Sequence, residues 1–186
     1  MKKKLDFKML PQPPVIFSNP CCIDNISHLV DYRDNKSNII LDLNVYLPSK
    51  GRNLQRELCW TLEQKQKFII SVLQDRPLLP LSINYKCDKG IYEVIDGKQR
   101  LSCLISYYKG EFPIIVNNEE YYYQDLEKYT SLKIKLFDFH AYQHFEHERD
   151  LKTILSDEDK IKWFLYINNT ATPQQDSYIS DLENLL

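Results

Sequence analysis

The sequence predicts a mixed α/β domain, and three observations carry that prediction. Two strand-like runs, Leu81-Ser82-Ile83-Asn84-Tyr85 and Ile91-Tyr92-Glu93-Val94-Ile95, are joined by the tight link Cys87-Asp88-Lys89-Gly90, which suits a hairpin. The second run stops at Asp96-Gly97 and passes straight into helical spacing from Lys98. Further apolar residues at helical spacing mark a helix from about Leu62 to Gln74 and another beginning at Ser156. At 186 residues, 43% hydrophobic and 27% charged, the chain has the size of one domain with a proper core.

In chain order, residues 1–26 read as an irregular arm punctuated by Pro11, Pro13 and Pro14, and 27–186 as the domain itself. Ile39-Ile40-Leu41-Asp42-Leu43 is a strand candidate after a polar loop, and Pro48 to Asn53 is an exposed turn. The helix from Leu62 starts at Thr61 with Gln64 three residues on, a capping box, and turns Phe68, Ile69, Val72 and Leu73 to one face. Pro77 and Pro80 stop it. The helix after Gly97 buries Leu101, Leu104, Ile105 and Tyr108 and ends at Gly110. Phe112 to Tyr123 gives two short strands about Asn117-Asn118, and the alternation of Ile134, Leu136 and Phe137 predicts a strand over Leu132 to Phe139. Ile161, Phe164 and Leu165 line the helix from Ser156, and a last helix is expected from Gln174 to Leu186.

Bulk properties exclude some functions. The net charge is −2, so contact with DNA or a nucleotide must come from a local cluster and not from overall charge. Five cysteines, odd in number and without a CxxC pair, point to reduced thiols in a cytoplasmic protein. Lys2-Lys3-Lys4 is followed by no apolar stretch, since Asp6 and Lys8 interrupt it, and no run reaches the ~18 apolar residues of a membrane helix.

The junction after Gly97 carries the most chemistry. Asp96 is expected to cap the helix, its carboxylate accepting from first-turn amides. Lys98 and Arg100 then sit where the helix already carries partial positive charge, each costing about 0.3–1 kcal/mol unless an anion receives them. The helices at Thr61 and Ser156 open with acids instead, Glu63 in one and Asp157-Glu158-Asp159 in the other. That contrast points to an anion site behind Gly97. The plainer alternative pairs Arg100 with Asp96 or a distant Glu and leaves Lys98 in water.

A second cluster, Asn53-Leu54-Gln55-Arg56 with Trp60, lies just upstream of the helix at Leu62. The guanidinium of Arg56 suits phosphate, and Gln55 suits a water or a base edge. The alternative makes Arg56 a surface partner of Glu57 or Glu63. His140, His144, His147 and Glu148 raise a metal site, but the dense charge of Glu146 to Asp150 favours a solvated loop, so no metal ligands are assigned. No Gly-rich P-loop, GxSxG elbow or HExxH is present.

These segments, in this order, resemble the bacterial and phage family whose hallmark is Asp-Gly-Gln-Gln-Arg. It is the N-terminal domain of GmrSD-type modification-dependent restriction enzymes, in the ParB/sulfiredoxin-like superfamily. The matching residues are Leu54-Gln55-Arg56 with Trp60, Phe68 to Leu73, Pro77 to Pro80, Val94 to Ser102, Tyr107 to Gly110, Trp163 to Asn168, and Thr172-Pro173. The resemblance implies a ParB-like mixed sheet with flanking and C-terminal helices. It also implies a nucleoside triphosphate site, with hydrolysis linked to restriction of foreign DNA or phage defence, and Mg²⁺ arriving with the nucleotide. Carried over by position, Asp96, Gln99 and Arg100 are catalytic, while Gln55, Arg56, Gly97 and Lys98 bind nucleotide or phosphate. Lys98 departs from the family's usual Gln, which adds charge at that position. Nothing resembling a nuclease domain follows, so cleavage is expected to need a separate nuclease or restriction subunit. Two other readings stand beside this one. The chain is a ParB-like nuclease acting on DNA itself, or it is a non-catalytic, phage-borne regulator that binds DNA or a host restriction subunit.

Overall fold

The expected hairpin forms the middle of the main sheet. The computed structural model of the protein describes residues 18–170 and 177–186. Strands β5 (Leu81–Lys86) and β6 (Ile91–Asp96) pair antiparallel, with Ser82 opposite Asp96 and Lys86 opposite Ile91. Parallel neighbours flank them: β2 (Ile40–Asp42) beside β6, and β9 (Asp138–Glu146) beside β5. β1 (Cys21–Asn25) closes the sheet antiparallel to β9, giving the order β1-β9-β5-β6-β2. Two small hairpins, β3 (Tyr46–Leu47) with β4 (Arg52–Asn53) and β7 (Ile114–Val116) with β8 (Glu119–Tyr121), stand apart from it.

Alternation along β6 divides the interior. Val94, with Ile83, Phe139 and Ala141, packs under four helices: α1 (Ile26–Arg33), α2 (Leu62–Leu73), α3 (Lys98–Tyr108) and α4 (Lys128–Lys135). Ile95 points the other way. It joins Val45, Leu47, Leu54 and the apolar side of α5 (Asp157–Thr170) with Leu182 of α6 (Ser177–Glu183). The chain is therefore mixed α/β, with helices on both faces of a mixed sheet, the C-terminal ones included. The β3–β4 segment is held on the second face, where Asp157 Oδ2 accepts from the Ser49 amide and hydroxyl at 2.8 and 2.7 Å.

Two of the three predicted caps form where the sequence put them. Thr61 and Gln64 exchange both bonds of the capping box, and Ser156 accepts from the Asp159 amide. Gly110 follows α3 in the left-handed region, and Asn117 and Asn118 make the β7–β8 turn with positive φ.

Four expectations are corrected. The arm does not stay irregular to residue 26, because Cys21–Asn25 is a strand and Asn25 caps α1 by accepting from the His28 amide. The predicted strand over Leu132 to Phe139 is instead α4 followed by the start of β9. Its alternation misled because Leu136 is exposed and Ile134 is the residue of α4 that reaches the core. The histidine segment is a loop only in its second half: His140 and His144 lie in β9, which buries Phe139, Ala141 and Gln143 on one side, while His147 to Asp150 is the exposed loop expected. Asp96 is not the cap of α3. Gly97 holds that position at φ 109° and has no side chain to offer the first-turn amides. Thr172-Pro173 and the first residues of the predicted last helix, 174–176, lie outside the described residues.

Candidate functional site

The corner where β6 becomes α3 is built by one glycine and a set of side chains that each reach a different loop. Gly97 turns the chain with positive φ, and a Cβ there would lie 2.2 Å from Leu81 Cδ2. Ahead of it, Asp96 Oδ2 accepts from Arg100 Nη2 at 2.8 Å. The Arg100 guanidinium also donates to the carbonyls of Leu79 and Pro80, so it fastens the segment before β5 to the first turn of α3. Gln99 donates to the Glu57 carbonyl at 2.9 Å and accepts from the Cys59 amide at 3.2 Å. Gln55, buried, donates to the Val94 carbonyl at 2.5 Å and accepts from the Lys98 amide at 3.3 Å.

Lys98 is the unusual member. Its side chain is only 3% exposed, yet among the described residues its ammonium has no carboxylate within hydrogen-bonding distance. Nζ donates to Asn44 Oδ1 at 2.7 Å, and the nearest acid, Glu57 Oε2, stands at 3.8 Å with its side chain 84% exposed. An ammonium this deep ordinarily has a close, hydrogen-bonded carboxylate.

The structure brings Gln55, Asp96, Gly97, Lys98, Gln99 and Arg100 together at one corner. Arg56 follows Gln55 on the exposed side of the same segment. Arg100 does not stand open to a ligand. It makes the pair with Asp96 that the plainer reading of the sequence allowed, while Lys98 turns inward and not into water. Sequence reasoning missed two residues of the corner, Asn44 and Glu57. Asn44 lies 54 positions from Lys98 and carries no local signal, whereas Glu57 was visible only as a partner for Arg56.

A family model described as the GmrSD restriction endonuclease N-terminal domain matches residues 29–185. The chain belongs to that family. Membership places this GmrSD N-terminal domain in a restriction setting, defence against foreign DNA. No curated protein and no solved structure gives a significant match. None of the described helices is long and apolar enough to cross a membrane.

Elsewhere in this GmrSD N-terminal domain, a second set of charges lies between the sheet and α5. Glu93, buried, accepts from Lys160 Nζ at 2.9 and 3.1 Å, from Lys86 Nζ at 2.6 Å and from Asn84 Nδ2 at 2.8 Å. Burial alone would raise the Glu93 pKa, but the Lys160 charge and the hydrogen bonds from Lys86, Asn84 and Lys160 outweigh it and hold the carboxyl below the usual range. The network runs outward through Glu146, which accepts from Asn84 at 2.6 Å, to a shallow depression lined by Lys86, Asp88, Lys89, Glu146 and Glu148. That depression lies four strand residues from Ser82, roughly 13 Å from the corner. Of the histidines, His144 is engaged with the Thr153 carbonyl at 2.7 Å, and no group of metal-ligating side chains gathers among the described residues.

Proposed function

We propose that this domain binds a nucleoside triphosphate at the 96–100 corner and hydrolyses it in the service of restriction. The observation that supports this most is Lys98, a buried ammonium in the first turn of α3 whose nearest carboxylate is long and solvent-exposed. A helix start with a loosely matched cation suits a phosphate. Lys98 receives the phosphates, with Gln55, Gly97 and Arg56 framing them. Gln99, which holds the 57–59 segment, has the remaining hydrogen-bonding capacity of its amide to orient the attacking water. Arg100 and Asp96 act as a pair whose opening frees a guanidinium for the transferred group and a carboxylate for the water. Mg²⁺ belongs to the substrate, as the metal–triphosphate complex. Positioning and charge neutralisation supply most of the acceleration in such transfers. The ParB/sulfiredoxin-like ancestry of the sheet, a cytoplasmic setting, and a separate nuclease subunit that cuts the DNA complete the proposal.

The closed Arg100–Asp96 pair favours a second reading, in which the motif is a staple for three loops and the domain binds DNA or a restriction subunit without turnover. Calorimetry with the four common triphosphates, with and without Mg²⁺, followed by phosphate-release assays with and without DNA, separates the two. The first reading expects saturable binding and a loss of turnover of about a hundredfold or more in Arg100→Ala. Undiminished turnover in a folded Arg100→Ala protein, or no binding of any triphosphate, leaves the second.

A further inference from the structure

Glu57 carries the carboxylate nearest the Lys98 ammonium among the described residues, and its environment sets it apart from an ordinary ion-pair partner. Its carboxylate is 3.8 Å from Lys98 Nζ, beyond hydrogen-bonding distance, and its side chain is 84% exposed. Its backbone is the opposite case. The Glu57 carbonyl is held by Gln99 Nε2 at 2.9 Å, and the Cys59 amide two residues on is held by Gln99 Oε1. The side chain is thus free to rotate while the segment that carries it stays fixed to α3. Asn44 holds Nζ from its own loop at 2.7 Å, so the ammonium keeps its place when the carboxylate leaves. The first turn of α3 contains no acid, which leaves Glu57 as the carboxylate paired with Lys98.

We propose that Glu57 is a built-in competitor for the anion site, a gate that occupies the Lys98 ammonium until phosphate displaces it. The proposal rests on the reading of the corner as a triphosphate site. Binding exchanges one anion for another at a fixed cation, so neither charge has to be buried alone. It follows that affinity for phosphate is set by the charge at position 57, and that the gate acts only through Lys98. Salt weakens the Glu57 contact, because an exposed carboxylate is screened.

The experiment is a calorimetric titration of inorganic triphosphate, at low ionic strength, into wild-type protein, Glu57→Gln, Lys98→Met and the double variant. Glu57→Gln is expected to bind about 1.5-fold to fivefold more tightly than wild type, the scale on which exposed ion pairs act. Glu57→Asp, whose shorter carboxylate draws back from the ammonium, is expected to fall between them. In the Lys98→Met background the Glu57→Gln change is expected to have no effect. If wild type binds and Glu57→Gln binds no better, the gate is wrong while the triphosphate site stands. Equal gains from Glu57→Gln with and without Lys98 also overturn it, since that shows general charge and not competition. If no variant binds triphosphate, both the gate and the underlying reading fail. Position 57 is exposed, so its variants fold, and a thermal melt of each protein checks Lys98→Met.

Discussion

Two buried lysines, Lys98 and Lys160, show how differently one domain can treat the same charge. Lys160, on α5, meets both oxygens of a carboxylate that is as buried as itself, at 2.9 and 3.1 Å. Lys98, on α3, meets an amide oxygen and an exposed carboxylate 3.8 Å away. The first arrangement is closed on both sides and leaves nothing for a ligand to add. The second leaves Lys98 with an exposed carboxylate beyond hydrogen-bonding distance. On the function proposed above, the contrast is between a structural charge and a receptive one, and mutations should separate them.

The largest effect is expected at the closed pair. Glu93→Ala strands Lys160 in the interior, because Glu93 is the carboxylate that Lys160 meets, and should cost about 3–5 kcal/mol in chemical denaturation. Replacing both partners, Glu93→Leu with Lys160→Met, should recover most of that loss, since Lys86 is a quarter exposed and can turn to water. A double variant no more stable than Glu93→Ala would show that the network is more than a matched pair. The pair also gives stability a pH dependence. The Glu93 pKa is depressed on folding, so its contribution is present above the unfolded-state value, about 4.3, and is lost as pH falls through the lower folded value. Acid unfolding curves of the Glu93→Leu/Lys160→Met protein should lack that component.

A smaller loss is expected at Gly97, which serves the receptive corner by geometry and not by charge. An alanine there must adopt φ 109° and place its Cβ 2.2 Å from the fully buried Leu81 side chain. Left-handed strain and overpacking together should cost about 2–4 kcal/mol, read from the denaturation midpoint. Shortening the obstacle with Leu81→Val should return part of the overpacking cost but none of the backbone strain. A Gly97→Ala protein as stable as wild type would mean that the turn rearranges without penalty.

Much of this was legible in the chain wherever local chemistry acts alone. The capping box at Thr61, the cap at Ser156, the hairpin at Cys87 to Gly90 and the stop at Gly110 all depend on residues within a few positions of one another, and all form. The errors came where partners are distant. Helix α1 buries only Ile26, Leu29 and Val30, and it packs on partners distant in the chain, β2, α3 and α4. The dense charge of Glu146 to Asp150 carried the expected loop back over His140 and His144, whose strand is held by distant partners, β1 and β5, with His144 against Trp163 of α5. At the corner the sequence singled out residues that the fold brings together, but not the bonds they make. The pull of Arg100 toward Asp96 was visible as an alternative, four residues apart across the junction of β6 and α3. Asn44 was invisible, because nothing in the chain links it to Lys98.

The smallest stability change, and the most telling, is expected for Lys98→Met. Removing a poorly matched buried ammonium relieves its desolvation, while Asn44 Oδ1 loses its donor at a cost of about 1–3 kcal/mol if it cannot reach water. Asn44 lies on an exposed loop, so its amide can turn outward, and the two terms should cancel to within about 1 kcal/mol. Ligand binding should behave in the opposite way, with triphosphate affinity falling by tenfold or more. A variant that keeps its stability and loses its ligand marks a residue held in place for function. The reverse outcome, a large loss of stability with binding intact in the folded fraction, would make Lys98 a second Lys160, and the two halves of the molecule would no longer differ in kind.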